Sequence, residues 1–419
     1  MKSKKFAVDL FAGCGGLSLG LEKAGFHPVF VNELNKNAMS SYLMNRQIIE
    51  PRLTNPEFHE YDIKNIVTKE GVIKKIMNSL KREFKISIED GDLDLVVGGP
   101  PCQGFSGIGH RRSYSVHKEQ LPSNHLYQDM AWVVNKLKPK IFLFENVKGL
   151  LSAKWTPNGT KGEIFEDVLH SFNSIKCYRV SHALVLSKDY GAPQNRPRVL
   201  VVGVRDDVDT SIWEKIDSKV ADGFLPKPTY GAPDLIDLLG DLIDPNFQYG
   251  SSTDKYLNEA MNEYQKLIRT GIDGKVAPEG AVLTEQEYSN HSDKVIEKFT
   301  HMLKHNGEIP PHLKTKKFAQ RLLPARWNKS GPSITVTSLP DDYVHFSQAR
   351  ILTVREWARL QGFPDWYQFA GSRTTGGLRR AGNPHQGIFD RELPKYTQIG
   401  NAVPVYLAEQ VGIHFSKVL

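Results

Sequence analysis

Residues Asp9–Gly20 read DLFAGCGGLSLG, an apolar run that ends in a glycine cluster and passes into leucines at helical spacing. Phe6–Phe11 predicts a short buried strand and GCGG a tight turn. Leu17, Leu19, Leu21 and Ala24 predict a helix that stops at Gly25. Glycine lets a backbone approach a ligand closely, and the first turn of a helix offers free N–H groups. The dinucleotide fingerprint G-x-G-x-x-G is not met: Gly13 and Gly15 fit, but Ser18 stands at the third glycine. Glu33 lies twenty residues after Gly13, at the end of the next strand-like run, where a carboxylate can accept both hydroxyls of a ribose. An adenosine-type cofactor without a pyrophosphate suits this pattern, and a purely structural turn is the competing reading.

Working outward, Val29–Val31, Leu93–Val97, Ile141–Phe144 and Val199–Val204 are further strand-like runs, separated by amphipathic stretches. Such alternation predicts βαβ units and a largely parallel sheet, with ligands at the carboxyl ends of its strands. Polar clusters stand at those ends: GCGG, Asn32-Glu33, Gly98-Gly99-Pro100-Pro101 and Glu145-Asn146. Residues 206–345 are richer in Pro, Asp, Asn and Tyr and lack sustained alternation, although Tyr256–Ile268 has helical spacing. Ile351–Gln361 predicts a helix capped by Thr353, with Glu356 completing a capping box and Gly362 ending it. Val403–Val418 reads as a last helix with Pro404 in its first turn.

The chain has 419 residues, 40% hydrophobic and 24% charged, enough for two or three domains at roughly 150 residues each. This excludes a disordered tail, a collagen-like fibre and a small disulfide scaffold. No run of about 18 apolar residues and no signal-peptide core appears, so a soluble cytosolic protein is expected. Cys14, Cys102 and Cys177 read as free thiols in a reducing compartment, with Cys14 and Cys177 buried and inert. The histidines do not pair with cysteines or carboxylates at metal-ligand spacing, and no metal is expected. The net charge of +7 is unevenly spread: +8 over residues 1–200, −9 over 201–310 and +8 over 311–419. The basic segments suit a polyanion such as nucleic acid; a generally basic soluble protein is the alternative.

GGPPCQGFS (Gly98–Ser106) presents a cysteine rigidly at a strand end. An ordinary thiol is only a few per cent ionised at neutral pH, so a nucleophilic Cys102 needs cationic company. Glu145-Asn146-Val147 and Gln194-Asn195-Arg196-Pro197-Arg198 supply an acid and arginines at neighbouring strand ends. Together they suggest attack by a thiol on an electron-poor ring, with an acid assisting.

These motifs, in this order, resemble the DNA (cytosine-5) methyltransferases. DLFAGCGG resembles that family's cofactor loop, PPCQGFS its nucleophile motif, ENV its acid motif and QNRPR its paired-arginine motif. Arg350–Pro364 (RILTVREWARLQGFP) and Gln398–Pro404 (QIGNAVP) resemble its two C-terminal motifs. The resemblance implies an α/β chain built on the Rossmann-like sheet of S-adenosyl-L-methionine-dependent methyltransferases, with a smaller, irregular target-recognition domain. It divides the chain into a discontinuous catalytic domain (1–205 with 397–419) and a target-recognition domain (206–396). It implies a flipped cytosine, Cys102 adding to C6, Glu145 on the amino group and N3, Arg198 on O2, and Arg196 organising the loop. Phe11, Gly13, Gly15, Glu33, Asp62, Ile63, Pro101 and Asn401 match the cofactor pocket. Gln103, Ser106, Arg111, Arg112, Gln194, Arg373, Arg379 and Arg380 are the expected contacts to double-stranded DNA.

Two features depart from the family. The segment after the nucleophile reads Leu121-Pro122-Ser123-Asn124, without the usual acid and arginine. Arg111 and Arg112 either replace the lost phosphate contact or are simply solvated. The Gly- and Arg-rich stretch 371–395 also separates the last two motifs widely. A tRNA methyltransferase of the same family and a catalytically silent DNA-binding regulator are the alternatives. A nicotinamide dehydrogenase fails on Ser18, and an amino-group methyltransferase on Pro100-Pro101-Cys102. The expected setting is a bacterial restriction–modification system: a monomer acting on the sequence cut by a cognate endonuclease, with no direct contact between them.

Overall fold

The computed structural model describes residues 4–101, 122–314, 320–374 and 392–419. Seven strands form one sheet: β1 (Lys5–Leu10), β2 (Phe26–Asn32), β3 (His59–Glu60), β4 (Leu95–Gly98), β5 (Ile141–Val147), β6 (Tyr178–Leu186) and β7 (Pro197–Arg205). Their order is β3-β2-β1-β4-β5-β7-β6. β1 to β5 run parallel, and β7 runs antiparallel to both neighbours. The central strands are almost uniformly apolar because helices cover both faces of the sheet.

Successive residues of each strand enter opposite cores, as the pleat requires. Val8, Val96 and Phe142 pack on one side with Met130, Val134 and Phe172. Ala7, Val97 and Leu143 pack on the other with Leu17, Leu21, Leu407 and Val411. The first side is built by α3 (Ile63–Thr68), α4 (Val72–Phe84), α5 (Leu126–Leu137) and α6 (Glu163–Asn173). The second holds α1 (Gly16–Lys23) and the C-terminal helix Val405–Phe415. A further helix, α2 (Lys36–Met44), follows β2. Gly20 permits the close crossing of α1 and the C-terminal helix, since a Cβ there would lie 2.4 Å from Ala408 Cβ. Pro404 sits at the N-cap of that helix rather than within its first turn.

Outside the sheet, Leu235, Leu238, Ile334, Val336, Trp357, Leu360 and Phe363 share a core that also takes in Cys14 and Leu19. At its centre is the helix Val354–Gln361, with the capping box between Thr353 and Glu356 and left-handed Gly362 at its end. All eight residues of this helix are buried, three of them charged. Arg359 bonds both Asp241 and Asp365, Arg269 shares Asp241, and Arg350 pairs with Glu356 at 2.7 Å. A lone buried charge would be costly; here each has an opposite partner and further hydrogen bonds.

Three expectations are corrected. The helical spacing from Tyr256 yields a helix only over Glu263–Arg269, because Tyr256 N–H bonds Ala281 O in an irregular ladder. Cys177 is exposed rather than buried, held at φ 67 in the turn between α6 and β6. β6, absent from the sequence reading, is an edge strand whose residues are mostly half-exposed. Among the described residues no helix is long and apolar enough to cross a membrane.

Candidate active site

The glycine loop leaves β1 at Phe11, which takes φ 56, and continues through left-handed Gly13 and Gly15. A side chain at Gly15 would press within 2.9 Å of Tyr367, Arg46 and Tyr42, so the underside of the loop is filled. A Cβ on Gly13 would meet nothing within 4 Å among the described residues, so this turn is open with respect to them. Below the loop, Ser18 Oγ donates to Asp9 Oδ2 at 2.5 Å and lies 2.8 Å from the Tyr42 hydroxyl. Arg46 stacks on the Tyr42 ring and donates to both Glu22 oxygens at 2.8 Å. Tyr367 O–H donates to Cys14 O at 2.5 Å. Burial pushes the Cys14 thiol up to about 12, which removes it as a nucleophile.

Glu33 caps the loop from the end of β2. Its Oε2 accepts from Gly13 N at 2.9 Å and its Oε1 from Asn35 N at 2.7 Å. Burial raises this carboxyl above its usual range, while the two N–H groups pull it back. Asp62 Oδ1 caps α3 by accepting from Lys64 N at 2.9 Å, and Ile63 is 4% exposed in the core beneath. Pro101 is exposed beyond β4, and Asn401 is exposed at the end of the helix Lys395–Asn401.

Glu145, on β5, lies beside the start of β7. The register pairs Glu145 with Leu200 and Val147 with Arg198, which sets Glu145 diagonally across from Arg198 on one face. Arg198 Nε is 2.5 Å from Glu145 Oε1, with both side chains almost wholly buried. The antiparallel course of β7 is what carries QNRPR to this edge, since its N-terminus lies at the carboxyl end of β5. A Cβ on Gly99 would come within 2.8 Å of Glu145 Oε2, so glycine leaves the acid its room. Asn146 Nδ2 donates to Pro100 O at 3.1 Å, anchoring the strand end that leads to Cys102.

Arg196 is buried and donates to the carbonyls of Val336 and Gly400, joining β7 to two segments outside the sheet. Its Nε is buried without a hydrogen-bond partner among the described residues. Burial, aided by neighbouring Arg198, lowers its pKa well below the ordinary arginine range. Burial likewise lowers that of Arg198, against the pull of Glu145. Gln194, expected on the DNA face, is instead fully buried: it donates to Leu360 O and Gln361 Oε1 and accepts from Val336 N. With donors and acceptor all engaged, it braces the end of helix Val354–Gln361. Arg373 is held loosely, its Nη1 3.3 Å from both Glu287 O and Ser289 Oγ. Cys102, Gln103, Ser106, Arg111, Arg112, Arg379 and Arg380 lie outside the described residues.

The sequence reading passed over Gln398. Its Oε1 accepts from Ser41 Oγ, its Nε2 donates to Ala370 O and Leu393 O, and its carbonyl takes the Cys14 thiol. It thus ties the glycine loop to the helix that ends at Asn401. Its place in QIGNAVP was the available signal.

Comparison with known proteins agrees with this arrangement. The family described as C-5 cytosine-specific DNA methylase matches residues 6–417. Type II methyltransferase M.DdeI of Desulfomicrobium norvegicum is 29% identical, over 98% of this chain and 88% of its own. Type II methyltransferase M.PspPI of a Psychrobacter species is 30% identical, over 98% of this chain and 79% of its own. A solved E. coli prophage protein described as a DNA modification methyltransferase superposes with TM-score 0.65 at 23% identity, covering 99% of both chains. Entamoeba histolytica methyltransferase EhMeth gives TM-score 0.53 at 15% identity, again over 99% of both. These two likenesses establish the expected α/β methyltransferase fold, and the match across nearly the whole length establishes the rest: the chain belongs to the C-5 cytosine-specific DNA methylases and is a DNA cytosine-5-methyltransferase.

Proposed function

We propose that this enzyme methylates C5 of a cytosine flipped out of a specific double-stranded DNA sequence, using S-adenosyl-L-methionine, as the cytosolic modification partner of a restriction endonuclease. One observation carries the chemistry: a buried acid, Glu145, paired with Arg198 at 2.5 Å, beside a strand end that leads directly to Cys102. The Type II names of the relatives support the biological setting.

The residues at the glycine loop fit the proposed cofactor. Among the described residues the turn at Gly13 is open, and Glu33 brings two carboxylate oxygens to its rim, suited to the two hydroxyls of a ribose. Phe11, Gly13, Gly15, Glu33, Asp62, Ile63, Pro101 and Asn401 would hold it. Bound there, it supplies an electrophilic methyl group to the activated C5.

The remaining work belongs to the protein. Cys102 thiolate forms a bond to C6, and the C5–C6 electron pair moves to C5 and the ring. Glu145 meets the exocyclic amino group and N3, which favours the charge-neutralised adduct. Arg198 holds O2 and fixes the Glu145 carboxyl. Arg196 positions this edge through Val336 and Gly400. The C5 proton then passes to solvent, its bonding pair re-forms the C5–C6 double bond, and Cys102 leaves C6 as the thiolate. We assign catalysis to residues 1–205 with 397–419 and target recognition to 206–396, with Gln103, Ser106, Arg111, Arg112, Arg373, Arg379 and Arg380 meeting DNA.

Product analysis tests this reading. Wild type and Cys102→Ser are incubated with labelled S-adenosyl-L-methionine and either mixed-sequence DNA or bulk tRNA, and the nucleosides are identified by mass spectrometry. The expected product is 5-methyldeoxycytidine from DNA, made by the wild type alone. Label in tRNA only would reassign the substrate, and activity in the serine variant would remove Cys102 from the mechanism.

A further inference from the structure

We propose that Asp129 and Lys64 form a positioning pair that holds the cofactor's adenine turn to the helix following the nucleophile segment. The inference rests on the reading of Asp62 and Ile63 as adenine-contacting residues. Lys64 Nζ lies 2.6 Å from Asp129 Oδ2, with the Asp129 side chain 8% exposed and that of Lys64 46% exposed. Lys64 is the second residue of α3, and its backbone N–H is the one capped by Asp62. Asp129 is in the first turn of α5, whose start at Leu126 follows segment 102–121 closely in the chain.

The electrostatics explain why the two side chains meet. A cation in the first turn of a helix opposes the helix dipole, so Lys64 is unfavourably placed on α3 by itself. The Asp129 carboxylate is favourable at the start of α5 and compensates Lys64 across the gap. Its burial is costly without that ammonium group. α3 has only six residues and little stability of its own, so its first turn depends on such outside contacts. Below it, Ile63 packs in one core with Tyr127 and Met130 of α5, which leaves the ion pair to fix the polar side of the turn. Releasing the pair lets the Asp62-Ile63 turn drift from α5 while Glu145, Arg196 and Arg198 stay in place.

The test separates cofactor affinity from turnover. Binding of S-adenosyl-L-methionine is measured by calorimetry on the full chain, together with KM and kcat on DNA, for Lys64→Met, Lys64→Arg, Asp129→Asn and Asp62→Ala. Lys64→Met and Asp129→Asn are expected to raise Kd and KM for the cofactor about tenfold, with kcat at saturation within about twofold of the parent. Lys64→Arg, which keeps the cation, should bind as the parent does. Unchanged Kd in Lys64→Met, or equal losses in Lys64→Met and Lys64→Arg, would overturn the pairing. If Asp62→Ala weakens binding but Asp129→Asn does not, the pair fails and the adenine reading stands. Parental binding by Asp62→Ala removes the adenine reading and the inference with it.

Discussion

Asp9 is 1% exposed beneath the glycine loop; its Oδ2 accepts from Ser18, and its Oδ1 has no hydrogen-bond partner among the described residues. Burial pushes its carboxyl up to about 7, against the pull of Ser18 and Arg46. Between about pH 4 and pH 7 the folded chain therefore keeps a proton that the unfolded chain has released. The stabilisation is complete below the ordinary carboxylate range and is lost as pH rises toward 7, by at most about 4 kcal/mol. Asp9→Asn should flatten the fall in urea midpoint between pH 5 and pH 7.5; an unchanged fall would place the titration elsewhere. Glu22 and Glu33, also raised by burial, act in the same sense, whereas His291, His345 and His414, lowered by burial, act in the opposite one. In the sequence Ser18 was visible only as a missing glycine. That its hydroxyl serves a buried acid depends on Tyr42 and Arg46, more than twenty residues away.

At the scale of elements, α1 and the C-terminal helix cross closely at Gly20. Gly20→Ala puts a methyl group 2.4 Å from Ala408 Cβ and 2.6 Å from the backbone at Val405 and Glu409. Overpacking of this kind should cost about 1–3 kcal/mol and lower Tm by several degrees. Adding Ala408→Gly should restore part of the loss, since the backbone contacts remain; no recovery would mean that the clash lies elsewhere. Thr353, Glu356 and Gly362 could be read in advance because capping is settled within a few residues. The strand ends and the polar residues that stand there were legible too, since each motif is contiguous. β6 was not, because an edge strand with one partner needs no continuous apolar run. Nor was the burial of Gln194, which depends on Val336 and on helix Val354–Gln361, more than 140 residues later.

Across the whole molecule, two basic segments of +8 flank an acidic one of −9, so DNA affinity should depend on local patches rather than on the net +7. Replacing Arg373, Arg379 and Arg380 together by Gln should weaken binding alike on all DNA sequences. It should also lower the slope of log K against log salt by up to about 3. A sequence-selective loss in filter-binding titrations would instead make them base-reading residues. The packing of Val405–Phe415 against α1 has a temporal corollary. During synthesis the glycine loop, Cys102, Glu145 and both arginines leave the ribosome long before the helix that covers α1. Until that helix arrives, Leu17 and Leu21 face solvent and Arg196 lacks the Gly400 carbonyl. A ribosome-bound nascent chain would therefore expose an apolar flank at Leu17 and Leu21, the kind of surface that chaperones bind.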